Sequence, residues 1–303
     1  MTSNLLTPTA CAICGPGQPA DPLYEANFQL EDLNPMVFSA RRQPDRIHYR
    51  MVRCRRCGLV RSDPVADPST LSRLYRESSF DYSDEEPNLR RTYARYLEEL
   101  GGFGVRKGAL LEVGCGNGFL LDAALDRGWS EVRGVEPSRQ AVALASPRVK
   151  PGLVEDVMRP GLFPPRSFDA VCLFQVFDHL PDPAGLLDEC HRVLRPGGLL
   201  LCFNHNVEAV SARLLGERSP IVDIEHTYLY SLRTQARIMR DHGFEVLGGG
   251  PASNFISFRY LVQLLPLPRG PKAFLREQLG RSRLGRLTVR LPLGNLYVVG
   301  RAA

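Results

Sequence analysis

Three groups of residues in this chain have types and spacings suited to chemistry. The first is Leu110-Leu111-Glu112-Val113-Gly114-Cys115-Gly116-Asn117-Gly118-Phe119, where an apolar run ends at an acid, passes three alternating glycines and enters an amphipathic stretch. Those glycines remove the Cβ atoms that would hold a ligand off the backbone, and they permit a tight strand-to-helix turn. A dinucleotide site wants its third glycine one residue later, where Phe119 stands. The second group is a pair of knuckles, Cys11-Ala12-Ile13-Cys14-Gly15 and Cys54-Arg55-Arg56-Cys57-Gly58. A two-residue spacer lets both thiolates of a knuckle face one tetrahedral ion, so the four cysteines read as a structural zinc site. A redox pair fits less well, because neither knuckle opens a helix in a βαβ context. Arg53, Arg55, Arg56 and Arg61 leave nucleic-acid contact open beside a solvated face. The third group is histidines among polar neighbours: His179 within Phe174-Gln175-Val176-Phe177-Asp178-His179-Leu180-Pro181-Asp182-Pro183, then Asn204-His205-Asn206, then Asp223-Ile224-Glu225-His226 ahead of Tyr228 and Tyr230. A neutral imidazole accepts a proton near pH 7. The competing role for His179 and His226 is to cap the helices expected from Pro183 and Ser231.

The spacing Glu-x-Gly-x-Gly-x-Gly from Glu112 to Gly118 resembles motif I of the class I S-adenosylmethionine (SAM) methyltransferases. Eighteen positions later Val132-Arg133-Gly134-Val135 ends at Glu136, and Phe168-Asp169-Ala170-Val171-Cys172-Leu173 and Leu194-Arg195-Pro196-Gly197-Gly198 follow in the family's order. The resemblance implies an α/β fold, a doubly wound seven-stranded Rossmann-like sheet, and SAM as cofactor. It implies that Glu112 holds the amino group, that Gly114, Gly116 and Gly118 pack along the methionine part, and that Glu136 grips the ribose. Cys115, Asn117, Pro137, Asp156 and Phe174 complete the implied cofactor contacts. Cys54 to Pro64, Leu71-Ser72-Arg73-Leu74-Tyr75 and Phe80-Asp81-Tyr82 resemble the entry to a bacterial subfamily that joins a zinc ribbon to such a domain. Sugar C-methyltransferases with that front end carry a further C-terminal domain which this chain is too short to contain, so their substrate does not transfer.

Asp178-His179-x-x-Asp182-Pro183 is similar to the Glu-His-x-x-Asp-Pro run of small-molecule O-methyltransferases. Some quinone O-methyltransferases hold a divalent metal on two acids and the histidine there. Gln175 occupies the first of those three positions, so no catalytic metal is expected. Many ribbon-bearing relatives have a histidine at the position of His226, and proton removal is expected on His226 with His179 as alternate, beside Asp178 and His205. No Asn-Pro-Pro-Tyr run or Pro-Cys nucleophile follows the fourth strand, which weighs against base methylation. The expected activity is methyl transfer to a small hydroxylated metabolite or glycan precursor. The alternatives are an rRNA methyltransferase and a degenerate SAM-binding module.

These residues need elements to position them. The expected organisation is a zinc-ribbon module over 1–67, a helical linker over 68–104, and the main domain over 105–303, with a helical lid at about 255–290. A strand is expected over Ile47–Val52 ahead of the second knuckle, and a helix over Asn88–Leu100, where Leu89, Tyr93, Tyr96, Leu97 and Leu100 recur at helical spacing. Phe244–Leu247 and Asn295–Gly300 read as the last two strands, the latter antiparallel. At 303 residues the chain can bury a full α/β core. Its net charge of +5 comes from dispersed arginines interleaved with acids, so nucleic acid is not the expected partner. Arg269 to Arg290 is the exception, with seven basic residues against Glu277, and a membrane-surface contact through 255–290 is the alternative to a lid. No apolar run approaches bilayer length and Met1 to Ala10 lacks a leader pattern, so a cytoplasmic location is expected. Cys115, Cys172, Cys190 and Cys202 stand singly in expected core elements, where a thiol serves as a small hydrophobe.

Overall fold

The computed structural model describes residues 5–41, 46–81, 85–265, 269–282 and 284–303; Tyr82, Arg283 and residues 266–268 of the expected lid lie outside them. Seven strands form the main sheet: β1 (Ala109–Val113), β2 (Glu131–Val135), β3 (Leu153–Val154), β4 (Phe168–Phe174), β5 (Leu194–His205), β6 (Phe244–Ser257) and β7 (Thr288–Ala302). Their spatial order is β3-β2-β1-β4-β5-β7-β6. The first five pair in parallel, and β7 runs antiparallel to both β5 and β6. Every residue of β1 and β4 is buried, and a strand covered on both faces has no polar side, which is why these segments read as largely apolar runs broken only by Glu112 and Asp169.

Alternate residues of each strand feed two separate cores. Ala170, Cys172 and Phe174 point toward Leu89, Tyr93 and Leu97 of the helix Glu86–Glu99 and toward Leu120 and Leu121 of the helix Phe119–Asp126. Val171 and Leu173 point the other way, toward Leu187 and Cys190 of the helix Pro183–Val193 and Ile238 and Met239 of the helix Leu232–Asp241. The strand order reverses between β1 and β4, so their carboxyl ends open a crevice where open α/β sheets bind ligands.

The amino-terminal segment builds a four-stranded sheet that it does not complete alone. Ala20–Tyr24, Met51–Cys54 and Val60–Ser62 pair in antiparallel fashion, and Tyr228–Leu229, from the loop after β5, adds the fourth strand on Val60 and Arg61. The expected strand over Ile47–Val52 starts later, at Met51. The displacement has a local cause: Asn27 takes the backbone groups of His48, accepting its N–H on Oδ1 at 2.7 Å and donating its own N–H to His48 O at 3.2 Å. The helix Pro68–Arg76, capped by Asp67, packs Leu71 and Leu74 against Phe38, Tyr49 and Ile224.

The carboxyl-terminal hairpin also departs from expectation. β6 and β7 are 14 and 15 residues long, and Phe255, Ile256 and Ser257 lie in β6, paired with Arg290, Val289 and Thr288, rather than in a helix. Backbone tethers keep them extended: Phe255 N–H donates to Thr92 Oγ1 at 2.9 Å and Ser257 N–H to Glu85. Phe258–Leu264 and Arg269–Arg281 then form two helices, with Phe274 and Leu284 exposed by 61% and 63%. Among the described residues, no helix is long and apolar enough to cross a membrane.

Candidate functional site

Three backbone hydrogen bonds close the glycine turn. Gly114 and Cys115 donate their N–H groups to Val135 O at 2.8 and 3.2 Å, and Gly118 N–H returns to Cys115 O at 2.9 Å. Gly114, Gly116 and Gly118 adopt φ of 70°, 55° and 75°, the left-handed region that side chains disfavour. A Cβ on Gly114 would stand 2.3 Å from Val176 Cγ2, so the turn after β1 and the loop after β4 touch through the space that glycine leaves.

Two carboxyl groups face each other under this turn. Glu112 is 2% exposed, its Oε2 has no hydrogen-bond partner, and burial together with the Glu136 charge pushes its pKa well above the carboxylate range. Glu136 accepts from Gly116 N–H at 2.9 Å and Ser138 N–H at 2.8 Å; burial raises its pKa despite those donors. A ligand bringing an ammonium group would supply the donor that Glu112 Oε2 lacks, and ribose hydroxyls would add to the two N–H donors on Glu136, so the residues present fit SAM. Pro137 sits between Glu136 and Ser138 in this turn. Asn117 bridges the turn to the preceding helix, donating to Glu86 at 2.9 Å and accepting from Phe119 N–H at 3.2 Å. Cys115 is buried, with its Sγ beside Gly134. Asp156 is turned toward Arg159 at 2.9 Å, and Phe174 stacks on Tyr93 at 4.3 Å between ring centroids within the core.

Over the ends of β4 and β5, one buried carboxylate gathers three imidazoles. Asp178 is fully buried. Its Oδ2 lies 2.6 Å from His205 Nδ1 and 3.9 Å from His226 Nε2, and its Oδ1 lies 3.6 Å from His179 Nε2. Asp178 O accepts the N–H groups of Thr227 and Tyr228 at 2.9 and 3.0 Å, which ties the loop after β4 to the cap strand. Burial alone would raise the Asp178 carboxyl; the three imidazoles reverse that and hold it well below the ordinary range. Burial pushes His226 down to about 3, aided by His205 and His179, and it lowers His179 as well. His226 is 5% exposed and bonds Ile221 O through Nδ1 at 2.9 Å. The side chains of His179 and His205 retain 18% and 23% exposure. Neither His179 nor His226 caps a helix: Asp182 accepts from Gly185 N–H at 3.0 Å, and Ser231 and Thr234 cap the later helix reciprocally.

Tyr75 joins this cluster although its residue type and spacing alone gave no signal. It ends the amphipathic helix Pro68–Arg76, and its hydroxyl lies 3.3 Å from His179 Nδ1. Burial raises its pKa well above the usual value, with Glu225, Asp178 and Asp223 adding to the shift.

The four knuckle cysteines come together, with one sulfur of each within 4.8 Å of the others and Cys11 Sγ 3.5 Å from Cys57 Sγ. A tetrahedral zinc with bonds of about 2.3 Å has sulfur–sulfur edges of about 3.8 Å, so the donor set fits that ion. Gly15 and Gly58, both at φ 81°, close the two knuckles with matching bonds to Cys11 O and Cys54 O at 2.8 and 2.9 Å. The amino-terminal segment that carries the knuckles also touches the cap around His226. Ser62 Oγ donates to His226 O at 2.8 Å, Tyr228 OH to Ala10 O at 3.0 Å, and Arg233 to Cys57 O at 3.3 Å. Cys11, Cys54, Cys57 and Leu59 share one core with Phe177, Tyr228 and Tyr230.

A cavity of about 510 Å³ opens elsewhere, among Ala109, Glu131, Phe168 and Arg195 at the amino ends of the strands. Asp178 and its three imidazoles lie at the opposite edge, beyond the carboxyl ends of β4 and β5.

Among curated proteins, the chain is 30% identical over 149 residues to the ubiquinone biosynthesis O-methyltransferase of Pseudomonas aeruginosa (strain LESB58), covering 46% of this chain and 62% of that protein. It is 28% identical over 142 residues to the protein of that name from Psychrobacter cryohalolentis, covering 43% and 55%. The chain therefore spans less than two thirds of these relatives. Among solved structures, SAM-dependent methyltransferases from Archaeoglobus fulgidus and Aquifex aeolicus align at TM-scores of 0.47 and 0.46 with 18% and 16% identity, covering 72% and 78% of this chain and 97% and 99% of theirs. The model of the family described as "Methyltransferase domain" matches residues 86–248, more than half of the 303-residue chain. With a seven-stranded sheet of this order and a glycine turn over two buried carboxyls, the chain belongs to that methyltransferase-domain family.

Proposed function

We propose that this methyltransferase transfers the methyl group of SAM to a hydroxyl of a small metabolite or glycan precursor, with His205 taking the hydroxyl proton. SAM carries its own leaving group, so the enzyme has to align the acceptor oxygen with the methyl and remove a proton. The observation that carries the reading is the 2.6 Å bond between His205 Nδ1 and the buried Asp178 carboxylate. That bond fixes one tautomer, leaves Nε2 for the acceptor and stabilises the imidazolium that forms. His226, the residue favoured by its type and context, is more deeply buried and has its pKa pushed down to about 3, a poor match to a proton acceptor at neutral pH. Support for proximity to the cofactor comes from Val176, which packs on Gly114 two residues before Asp178. The relatives' name, O-methyltransferase, supports oxygen as the acceptor atom.

In the same reading Glu112, Glu136 and the three glycines hold SAM, and Cys11, Cys14, Cys54 and Cys57 hold a structural zinc. A screen of hydroxylated acceptors with methyl-labelled SAM identifies the substrate. His205→Gln then lowers turnover by about a hundredfold or more with SAM affinity unchanged in calorimetry. Full activity in that variant, with loss confined to His226→Asn, would return the role to His226.

A further inference from the structure

Asp178, His179 and His226 each offer one donor atom, and these lie within 4.8 Å of one another. Their surroundings are those of a ligand set. His226 Nδ1 is engaged by Ile221 O at 2.9 Å, a carbonyl that can only accept, so the proton sits on Nδ1 and the Nε2 lone pair faces Asp178. His179 Nδ1 meets the Tyr75 hydroxyl at 3.3 Å, which leaves its Nε2 toward Asp178 Oδ1. Asp178 Oδ2 is held by His205, while Oδ1, on a fully buried residue, has no hydrogen-bond partner. A lone pair on His226 aimed at an ionised carboxylate is repulsive unless something cationic stands between them. Metal-binding imidazoles characteristically spend their second nitrogen on a carbonyl or carboxylate, and ligating carboxylates are themselves hydrogen-bonded.

We infer that Asp178 Oδ1, His179 Nε2 and His226 Nε2 form a binding site for a divalent transition-metal ion, separate from the cysteine cluster. Donors around an ion with bonds of about 2.1 Å stand about 3.0–3.4 Å apart; His179 Nε2 already stands 3.6 Å from Asp178 Oδ1, His226 Nε2 stands 3.9 Å from the other oxygen of that carboxylate, and one donor of each residue lies within 4.8 Å of the others. Two imidazoles and one carboxylate suit zinc, iron(II), nickel or cobalt(II) better than magnesium or calcium. His226 reaches in from the cap to supply a donor from a different part of the chain than Asp178 and His179. Asp223 and Glu225, on the same cap segment, add negative charge around the cluster. His205, the proton acceptor of the reading above, also positions the ion through its hydrogen bond to the ligating carboxylate. The ion's part in the reaction, to draw the acceptor hydroxyl close and ease loss of its proton to His205, rests on that reading; the binding site does not.

The test is cobalt(II) titration of the full chain purified without chelator, with elemental analysis. Wild type should take up about two ions per chain, one showing sulfur-to-metal charge transfer and one showing only visible ligand-field bands. His179→Ala and His226→Ala should each lose the second signal and keep the first, with SAM calorimetry reporting that the fold persists. His205→Gln should weaken the second ion about 10–100-fold without abolishing it. Uptake confined to the thiolate-type signal, or a second ion that survives the His179→Ala/His226→Ala pair, overturns the inference. Methyl transfer by protein with only the thiolate-bound ion would leave the proposed function standing and remove this site from it.

Discussion

Replacing Gly114 by alanine tests whether the cofactor turn and the catalytic loop are mechanically joined. At φ 70° an alanine incurs about 1–2 kcal/mol of left-handed strain. Its Cβ would also lie 2.3 Å from Val176 Cγ2, far inside contact distance, and overpacking of this kind costs about 1–3 kcal/mol. The sum, about 2–5 kcal/mol, is a large share of the stability of an ordinary domain, about 5–15 kcal/mol. Val176→Ala removes the methyl that is struck, so the double variant should recover the packing part and keep the strain. A urea-unfolding double-mutant cycle should give a favourable coupling of about 1–3 kcal/mol. Because Asp178 lies two residues from Val176, turnover should fall further than stability in Gly114→Ala and return in part in the double variant. Additivity of the two substitutions within about 0.5 kcal/mol would refute the contact.

Three further outcomes follow from the site. Ser62→Ala removes a buried hydroxyl that donates to His226 O at 2.8 Å; it should lower stability by about 1–2 kcal/mol and reduce kcat more than it changes SAM affinity, as read by unfolding and calorimetry. Cys54→Ser, or removal of zinc by chelator, should destabilise the chain and raise hydrogen exchange at the Thr227 and Tyr228 amides, which donate to Asp178 O. Glu112→Gln, which keeps the shape but not the charge, should weaken SAM binding by about tenfold or more while thermal stability holds or rises, since the carboxyl is buried and has an unpartnered Oε2.

What was legible in the sequence was the part in which neighbours in the chain are neighbours in space. The turn from Glu112 to Gly118 and the apolar strands β1 and β4 announce themselves locally, and β7 beside β5 follows from the strand pattern the resemblance carries. The two knuckles were readable for the same reason. The convergence of His179, His205 and His226 on Asp178 depends on three segments meeting, and spacing along a chain does not encode that. Tyr75, noted only as part of the resemblance at the ribbon's exit, was not read as a site residue because it stands in an amphipathic helix, where a tyrosine reads as packing. The start of the strand at Met51 was hidden by Asn27, about twenty residues upstream, whose side chain accepts the His48 N–H and whose backbone N–H donates to His48 O. The lengths of β6 and β7 were underestimated because polar residues such as Asn254 and Ser257 sit in them, Asn254 accepting from Asn295 of β7 and Ser257 donating to Glu85, the residue before the helix Glu86–Glu99.

The strand Val60–Ser62 finds its outer partner only at Tyr228–Leu229, and the bond from Ser62 to His226 spans 164 residues. On a ribosome adding about 5–20 residues per second, that interval lasts roughly 10–30 s. Throughout it the amino-terminal segment, even with its cysteines gathered, presents Val60, Arg61 and Ser62 as an open edge, the kind of surface on which chains stitch to one another. The arginine among them, and those just upstream at Arg53, Arg55 and Arg56, give that waiting edge a repulsive positive charge toward identical nascent neighbours. Synthesis speed and chaperone supply should therefore govern the yield of this protein more strongly than the stability of its finished fold.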